Sequence, residues 1–329
     1  MSNTEIAPPE VHGGPGGTTS AVEVLTPRAV PLGGPRAMTV RRTLPQRQRS
    51  LIGAWCFVDH YGPDDTSATG GMDVPPHPHT GLATVSWLFT GEVEHRDSHG
   101  VHARVRPGEL NLMTAGRGIA HSEVSTPGTS VLHGVQLWVA LPDEARDGPR
   151  DFAHHAPEPV TLDDGATARV FLGSLAGSTS PVVTATPLLG AELLLEPGTR
   201  VVLAVDATFE HGLLVDRGQV SLQGQPLEPG ELGSVRPGQT TLEIANGAGP
   251  ARLVLLGGPP FGEQIVMWWN FVGRSHDEIV AFRAAWEAGS ERFGGVEGYV
   301  GRDGRTGADT RLPAPTLPQA TLRPRGNPE

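Results

Sequence analysis

Pro75-Pro76-His77-Pro78-His79-Thr80-Gly81 and, further on, Gly116-Arg117-Gly118-Ile119-Ala120-His121-Ser122-Glu123 are built alike: turn-forming residues lead into a pair of metal-binding side chains spaced i, i+2. Alternate residues of a β-strand project to one face, so His77 and His79 point together, as do His121 and Glu123. Two such strands side by side bring three imidazoles and one carboxylate to a point. That set suits a first-row divalent ion, iron first, with positions left open for a substrate. A lone His-x-His pair is common on surface strands. Two independent pairs, each where a loop enters a strand, make a metal site the stronger reading.

The surroundings of the two pairs set the fold. The chain has 329 residues with 44 glycines and 31 prolines, spread between short apolar runs rather than gathered in a repeat. Strand-like runs recur at 83–89, 102–106, 109–113, 130–141, 168–172, 192–196, 200–205, 212–216, 220–222, 241–245 and 252–256. Pro-Gly pairs at 107–108, 197–198, 229–230 and 237–238 sit between them as turns. Many short strands at even spacing predict a sandwich or barrel, here a double-sheet jelly roll. The second half repeats the first: a hairpin around Thr90-Gly91 has a counterpart at Arg217-Gly218, and the turn Arg106-Pro107-Gly108-Glu109 one at Glu228-Pro229-Gly230-Glu231. The expectation is an all-β chain of two tandem jelly-roll β-barrels with a short C-terminal helix.

Its divisions are a mobile N-terminal tail (1–20), a first barrel with the metal site (21–160), a second without metal (161–290) and a Pro-rich C-terminal arm (291–329). Apart from His276 in the helix, residues 161–290 hold only His211 and neither ligand pair. Prolines 313, 315, 318, 324 and 328 rule out a helix in the arm, which is either extended across the body, held by Leu312, Leu317 and Leu322, or disordered. Ser275-His276-Asp277-Glu278 is a capping box for a helix whose stripe of Ile279, Phe282 and Trp286 packs on the second barrel, with Gly289 as its stop.

A formal charge of −11 without a basic face excludes the electrostatic footprint of direct nucleic-acid binding; the one local cluster of arginines runs from Arg41 to Arg49. Cys56 is the only cysteine and lies in an apolar run, so it reads as a buried inert thiol. No signal peptide or membrane span is visible, and the expectation is a cytoplasmic protein. His60, His99, His102, His133, His154 and His155 fall in polar or turn-rich stretches and read as surface or supporting residues. His95 is read as ordering a loop near the barrel mouth or bonding a metal ligand from behind, with salt-linked turn chemistry in His95-Arg96-Asp97-Ser98 an equal explanation. Trp55, Phe57, Trp87 and Phe89 are candidate pocket walls, with core packing favoured for each. Nucleophile elbows, phosphate loops and dinucleotide fingerprints are absent.

With these residues in view, the chain resembles the pirin family of the cupin superfamily. Leu44-Pro45, Val58-Asp59-His60-Tyr61-Gly62-Pro63, Pro76-His77-Pro78-His79-Thr80-Gly81, His95-Arg96-Asp97-Ser98 and Met113-Thr114-Ala115-Gly116-Arg117-Gly118-Ile119-Ala120-His121-Ser122-Glu123 follow in the family's order, and the likeness covers roughly residues 22–290. The resemblance implies two cupin barrels and a metal held by His77, His79, His121 and Glu123. Most cupins carry their glutamate soon after His-x-His; here Leu82-Ala83-Thr84-Val85 has none, and Glu123 supplies it as in pirins. Iron is the ion implied, with Ni, Cu, Co and Mn able to occupy the same set. The resemblance further implies a monomer and one of two roles. The first is oxygenation of a flavonol such as quercetin with O2, Glu123 acting as the general base. The alternative is a non-catalytic iron-containing regulator that binds a transcription factor or metabolic enzyme.

Overall fold

The computed structural model describes residues 21–32, 38–307 and 310–327, so the tail expected at 1–20 lies outside the described residues. Each half is a sandwich of one seven-stranded and one four-stranded antiparallel sheet. In the first half the large sheet runs Asp151–His155, Leu110–Thr114, Leu82–Thr90, Val131–Ala140, Trp55–Asp65, Met38–Leu44, Arg28–Leu32. The small sheet facing it runs Asp73–His79, Ile119–Ser125, Val93–Asp97, His102–Val105. The second half repeats both orders. Its large sheet runs Val22–Leu25, Leu232–Val235, Glu210–Arg217, Ala251–Gly258, Leu189–Leu195, Ala166–Leu172, Val160–Asp163. Its small sheet runs Arg200–Ala204, Thr241–Asn246, Val220–Leu222, Gln225–Leu227. All four Pro-Gly turns place glycine at positive φ, between 74° and 111°, as a type II turn requires.

Two expectations are corrected here. Thr90-Gly91 does not close a hairpin, because Leu82–Thr90 belongs to the large sheet and Val93–Asp97 to the small one. The turn carries the chain across the sandwich, and Arg217-Gly218 does the same in the second half. Residues 22–25, placed by sequence with the first barrel, pair in the second: Val22 lies opposite Val235 and Leu25 opposite Leu232. They fill the position that Asp151–His155 holds in the first. A short half-buried strand looks the same in sequence whichever sheet it completes.

The barrels share one core. Trp55, Val85 and Trp87 of the first pack with Phe171, Leu214, Val254 and Leu256 of the second. Trp55 Nε1 donates across the boundary to the carbonyls of Leu189 (3.2 Å) and Gly257 (3.1 Å). Two arginines of the 41–49 stretch are buried: Arg42 makes a two-pronged pair with Asp59 at 2.7 and 2.8 Å, and Arg49 joins Glu23 to Glu210. Cys56 is buried, its thiol pushed up to about 12 by desolvation.

After the second barrel, a hairpin of Val266–Trp268 and Phe271–Gly273 returns to the first, where the Val272 amide donates to Thr80 O at 3.0 Å. That approach explains Gly81, at φ +66°: a Cβ there would lie 2.3 Å from Val272 O. The helix, His276–Glu287, is capped by Ser275, which accepts from the Glu278 amide at 3.2 Å. Glu278 reaches back one residue further than a capping box does, accepting from the Arg274 amide at 2.6 Å. Its buried stripe of Ile279, Phe282 and Trp286 packs on the returning hairpin together with Ala120 of the first barrel, not on the second barrel as expected. The return of the hairpin carries the helix with it. The segment beyond is an ordered arm: Leu312 donates to Pro76 O (2.8 Å), accepts from Trp286 Nε1 (2.8 Å), and packs with Leu317 and Leu322 on the same cluster. Among the described residues no helix is long and apolar enough to cross a membrane.

Candidate metal centre

His77 and His79 stand on the edge strand Asp73–His79, and His121 on its neighbour, directly opposite His77 in register. The three rings converge inside the first sandwich, all fully buried, with one ring nitrogen from each lying within 4.8 Å of the others. His79 Nε2 is 3.0 Å from His121 Nε2. Backbone carbonyls orient two of them: His77 Nδ1 lies 2.9 Å from Pro75 O, and His79 Nδ1 3.2 Å from Asn270 O on the returning hairpin. A ring that donates Nδ1–H to a carbonyl keeps its Nε2 lone pair for a ligand. Among the described residues His77 Nε2 is buried with no hydrogen-bond partner, which leaves it free to bind an ion. Burial holds all three imidazoles well below the ordinary histidine range, so they are neutral, the form that binds metal.

Glu123 is buried on the same strand as His121, but it forms a second, overlapping group with His121 and His95. Ser86 Oγ, 3.4 Å away, donates to its Oε1. The structure thus brings the three histidines to one point and sets Glu123 beside it, on the His95 side. The two groups meet at His121, whose Nδ1 is 3.4 Å from His95 Nδ1. His95 is buried and held through Nε2 by Asp97 at 3.1 Å, which makes it a support of His121.

Two neighbours, Asn270 and Trp138, had no sequence signal, whereas Phe57 was among the candidate pocket walls. Asn270 reaches His79 from 191 residues away. Trp138 meets the His79 ring edge-on at 5.1 Å, and Phe57 stacks on Trp138 at 4.0 Å. Trp55, Trp87 and Phe89, offered as pocket walls, lie in the core between the barrels. His99, His102 and His154 are exposed and His155 half-buried, as expected, but His60 and His133 are buried and meet Asp216. The expectation of surface or supporting roles fails for these two because their strands face the second barrel. In that barrel the inward positions of the strands equivalent to the ligand pairs are Val201, Leu203, Leu242 and Ile244, all in its aliphatic core. The one histidine on its strands, His211, is buried elsewhere, with neither ring nitrogen hydrogen-bonded among the described residues and its pKa pushed down to about 4 by burial.

Sequence comparison matches residues 37–139 to the Pirin family and residues 190–294 to the Pirin C-terminal cupin domain. A Pseudomonas aeruginosa protein, provisionally described as a quercetin 2,3-dioxygenase, is 46% identical over 270 residues, covering 82% of this chain and 85% of that one. The chain belongs to the pirin family. A pirin-like protein of Caulobacter vibrioides is 36% identical, over 76% of this chain and 88% of its own. Among solved structures, the quercetin 2,3-dioxygenase of Acinetobacter baumannii superposes with a TM-score of 0.84 at 37% identity, covering 93% of this chain and 98% of that one. The pirin assignment accounts for both barrels and for the retention of ligand-type side chains in the first. A buried set of neutral imidazoles with carbonyl-anchored rings fits a divalent ion of the first transition row.

Proposed function

We propose that this pirin is an iron-dependent dioxygenase that opens the ring of a flavonol such as quercetin with O2. The reading rests on one observation: three buried neutral imidazoles converge, and the Nε2 of His77 has no hydrogen-bond partner among the described residues. His77, His79 and His121 would hold the ion, and Glu123 would complete the set. Bound there, the ion would supply a Lewis-acidic template and a route for electrons to dioxygen. The protein does the rest. Pro75 O and Asn270 O fix the rings, Trp138 walls the His79 side, and Glu123, oriented by Ser86, accepts the proton of the flavonol hydroxyl as general base. Protein loaded anaerobically with Fe(II) should consume quercetin and O2 one for one. His79→Gln should lose the ion and the turnover together, while Glu123→Gln should lose turnover by far more than it loses iron. Fully loaded protein that leaves quercetin and its close analogues untouched would sink this reading.

One feature favours the second role, an iron-containing protein that acts by binding a partner. The histidines are fully buried, beneath the hairpin that supplies Asn270 and beside the arm that bonds Pro76 O. A substrate would need these segments to move, whereas a binding protein needs only that the ion's charge alter their packing. Capture of the same partner by ferrous and ferric protein with equal affinity, or of none by either, would count against it.

A further inference from the structure

A second constellation of ligand-type side chains lies where the two barrels meet. His60 on Trp55–Asp65 and His133 on Val131–Ala140 come from the first barrel, and Asp216 on Glu210–Arg217 from the second. Both imidazoles aim Nε2 at one carboxylate oxygen: His60 Nε2 is 2.8 Å and His133 Nε2 2.6 Å from Asp216 Oδ1. The three side chains are buried, and a cleft of about 230 Å3 lined by Arg41, Gly62, His133, Asp216, Arg217 and Gly230 opens beside them. We propose that His60, His133 and Asp216 form a second divalent-metal site, a two-histidine, one-carboxylate set that joins the barrels and takes an imidazole-preferring ion of the zinc class.

The geometry must adjust to admit the ion. Ligands about 2.0–2.1 Å from a tetrahedral ion stand farther apart than these hydrogen-bonded atoms, so Asp216 Oδ1 must withdraw by a fraction of an ångström as the ion enters. The cleft leaves room for that and for solvent in the remaining positions. Each ring must present an Nε2 lone pair, so its proton moves to Nδ1. For His60 that brings the proton towards Arg41, whose Nε and Nη2 lie 3.4 and 3.3 Å from Nδ1 and whose Nη2 lies 3.2 Å from Nε2 itself, so the guanidinium must move off the ring as the ion enters, pivoting on Gly62 O, now 2.7 Å from Nη2. Three cations, Arg41, Arg217 and Arg252, and two anions, Asp216 and Glu192, surround the site, with Arg252 3.5 Å from Asp216 Oδ2 and 3.1 Å from Glu192. These charges give no net attraction for a cation, so the attraction comes from the donor atoms. Mg2+ and Ca2+, which want oxygen, are therefore excluded.

The test uses the full chain and Zn2+ alone. His121 belongs to both ligand groups of the first barrel, so His121→Gln silences that barrel and leaves the interface intact. Equilibrium dialysis followed by elemental analysis should find one zinc per His121→Gln chain, and that zinc should raise the melting temperature because its ligands span both barrels. Adding His133→Gln should remove the ion and the shift. In the wild-type background, His133→Gln alone should lower the zinc count by one, which keeps the test decisive if the double variant folds poorly. No zinc on His121→Gln, or a count unchanged by His133→Gln, overturns the proposal. Iron loading and quercetin turnover at the first barrel are read separately and do not bear on either outcome.

Discussion

Asp97 is bonded to His95, and His95 stands 3.4 Å from His121, so a carboxylate with no direct contact to an ion governs how His121 presents itself. Asp97 also accepts from the amides of His99 (2.9 Å) and Val101 (3.0 Å) through its other oxygen, which anchors it in the turn. Asp97→Asn keeps the shape and removes the charge. Losing such a support should weaken metal binding by roughly 10–100-fold, measured by chelator competition; a purely structural role would lower the melting temperature and leave the affinity where it was. His211 allows a cleaner reading of pH. In the unfolded chain an imidazole titrates near 6.5, while the folded His211 holds off until about 4. Between these values the unfolded state binds more protons, so the folded state is penalised progressively as pH falls below about 6.5 and not at all above it. His211→Leu removes that penalty. Its advantage over wild type in urea melts should therefore grow between pH 7 and pH 5, by up to roughly 2 kcal/mol at about 1.4 kcal/mol per unit. A constant difference at both pH values would refute the reading.

The strand Asp73–His79 carries three prolines and still pairs, because it is an edge: its one neighbour is Ile119–Ser125, and the ladder there breaks register between His121 and Glu123. Proline is admitted at such positions for want of a second ladder to satisfy. This is why the spacing of His77 and His79 could be read in sequence although the strand itself could not be drawn from propensity. The glutamate's displacement to 123 was equally legible, whereas its lean towards His95 was not, since it depends on how that register break turns the side chain. The helix shows a similar divide. Its start, stripe and stop at Ser275, Ile279/Phe282/Trp286 and Gly289 were all local signals, but an apolar stripe does not say which surface it will cover. Here it covers the returning hairpin, and Trp286 adds a hydrogen bond to the arm at Leu312 O. Trp286→Ala should cost roughly 3–5 kcal/mol and, by freeing Leu312, expose the arm's arginines to trypsin well before global unfolding. Equal proteolysis rates in variant and wild type would show that the arm is held elsewhere.

At the scale of the molecule, the repeat is a repeat of topology and not of independence. Each sandwich has its own pair of sheets, yet two of the first barrel's three tryptophans are buried against the second: Trp55 and Trp87 share a core with Phe171, Leu214 and Leu256. Polar ties cross the same boundary. Glu210 accepts from Arg49 (3.1 Å) and from the Gly53 amide (2.8 Å), and Asn327 near the arm's end bonds Leu51 and Glu210. The Val22–Leu25 strand completes the second large sheet before Arg28–Leu32 enters the first. Separating the barrels would leave that sheet without its end strand and put a face of tryptophan and leucine into water, at about 25 cal/mol for each Å2 of apolar surface exposed. Residues 21–160 expressed alone should therefore be insoluble or lack fixed tertiary structure. The whole chain should melt in a single calorimetric transition whose van't Hoff and calorimetric enthalpies agree. Two resolved transitions, or a folded and metal-binding fragment 21–160, would mean that the shared core adds contact without coupling, and that the first barrel alone suffices to build the histidine site. That outcome would conflict with the ring geometry itself, because His79 takes its orientation from Asn270, a residue that such a fragment does not contain.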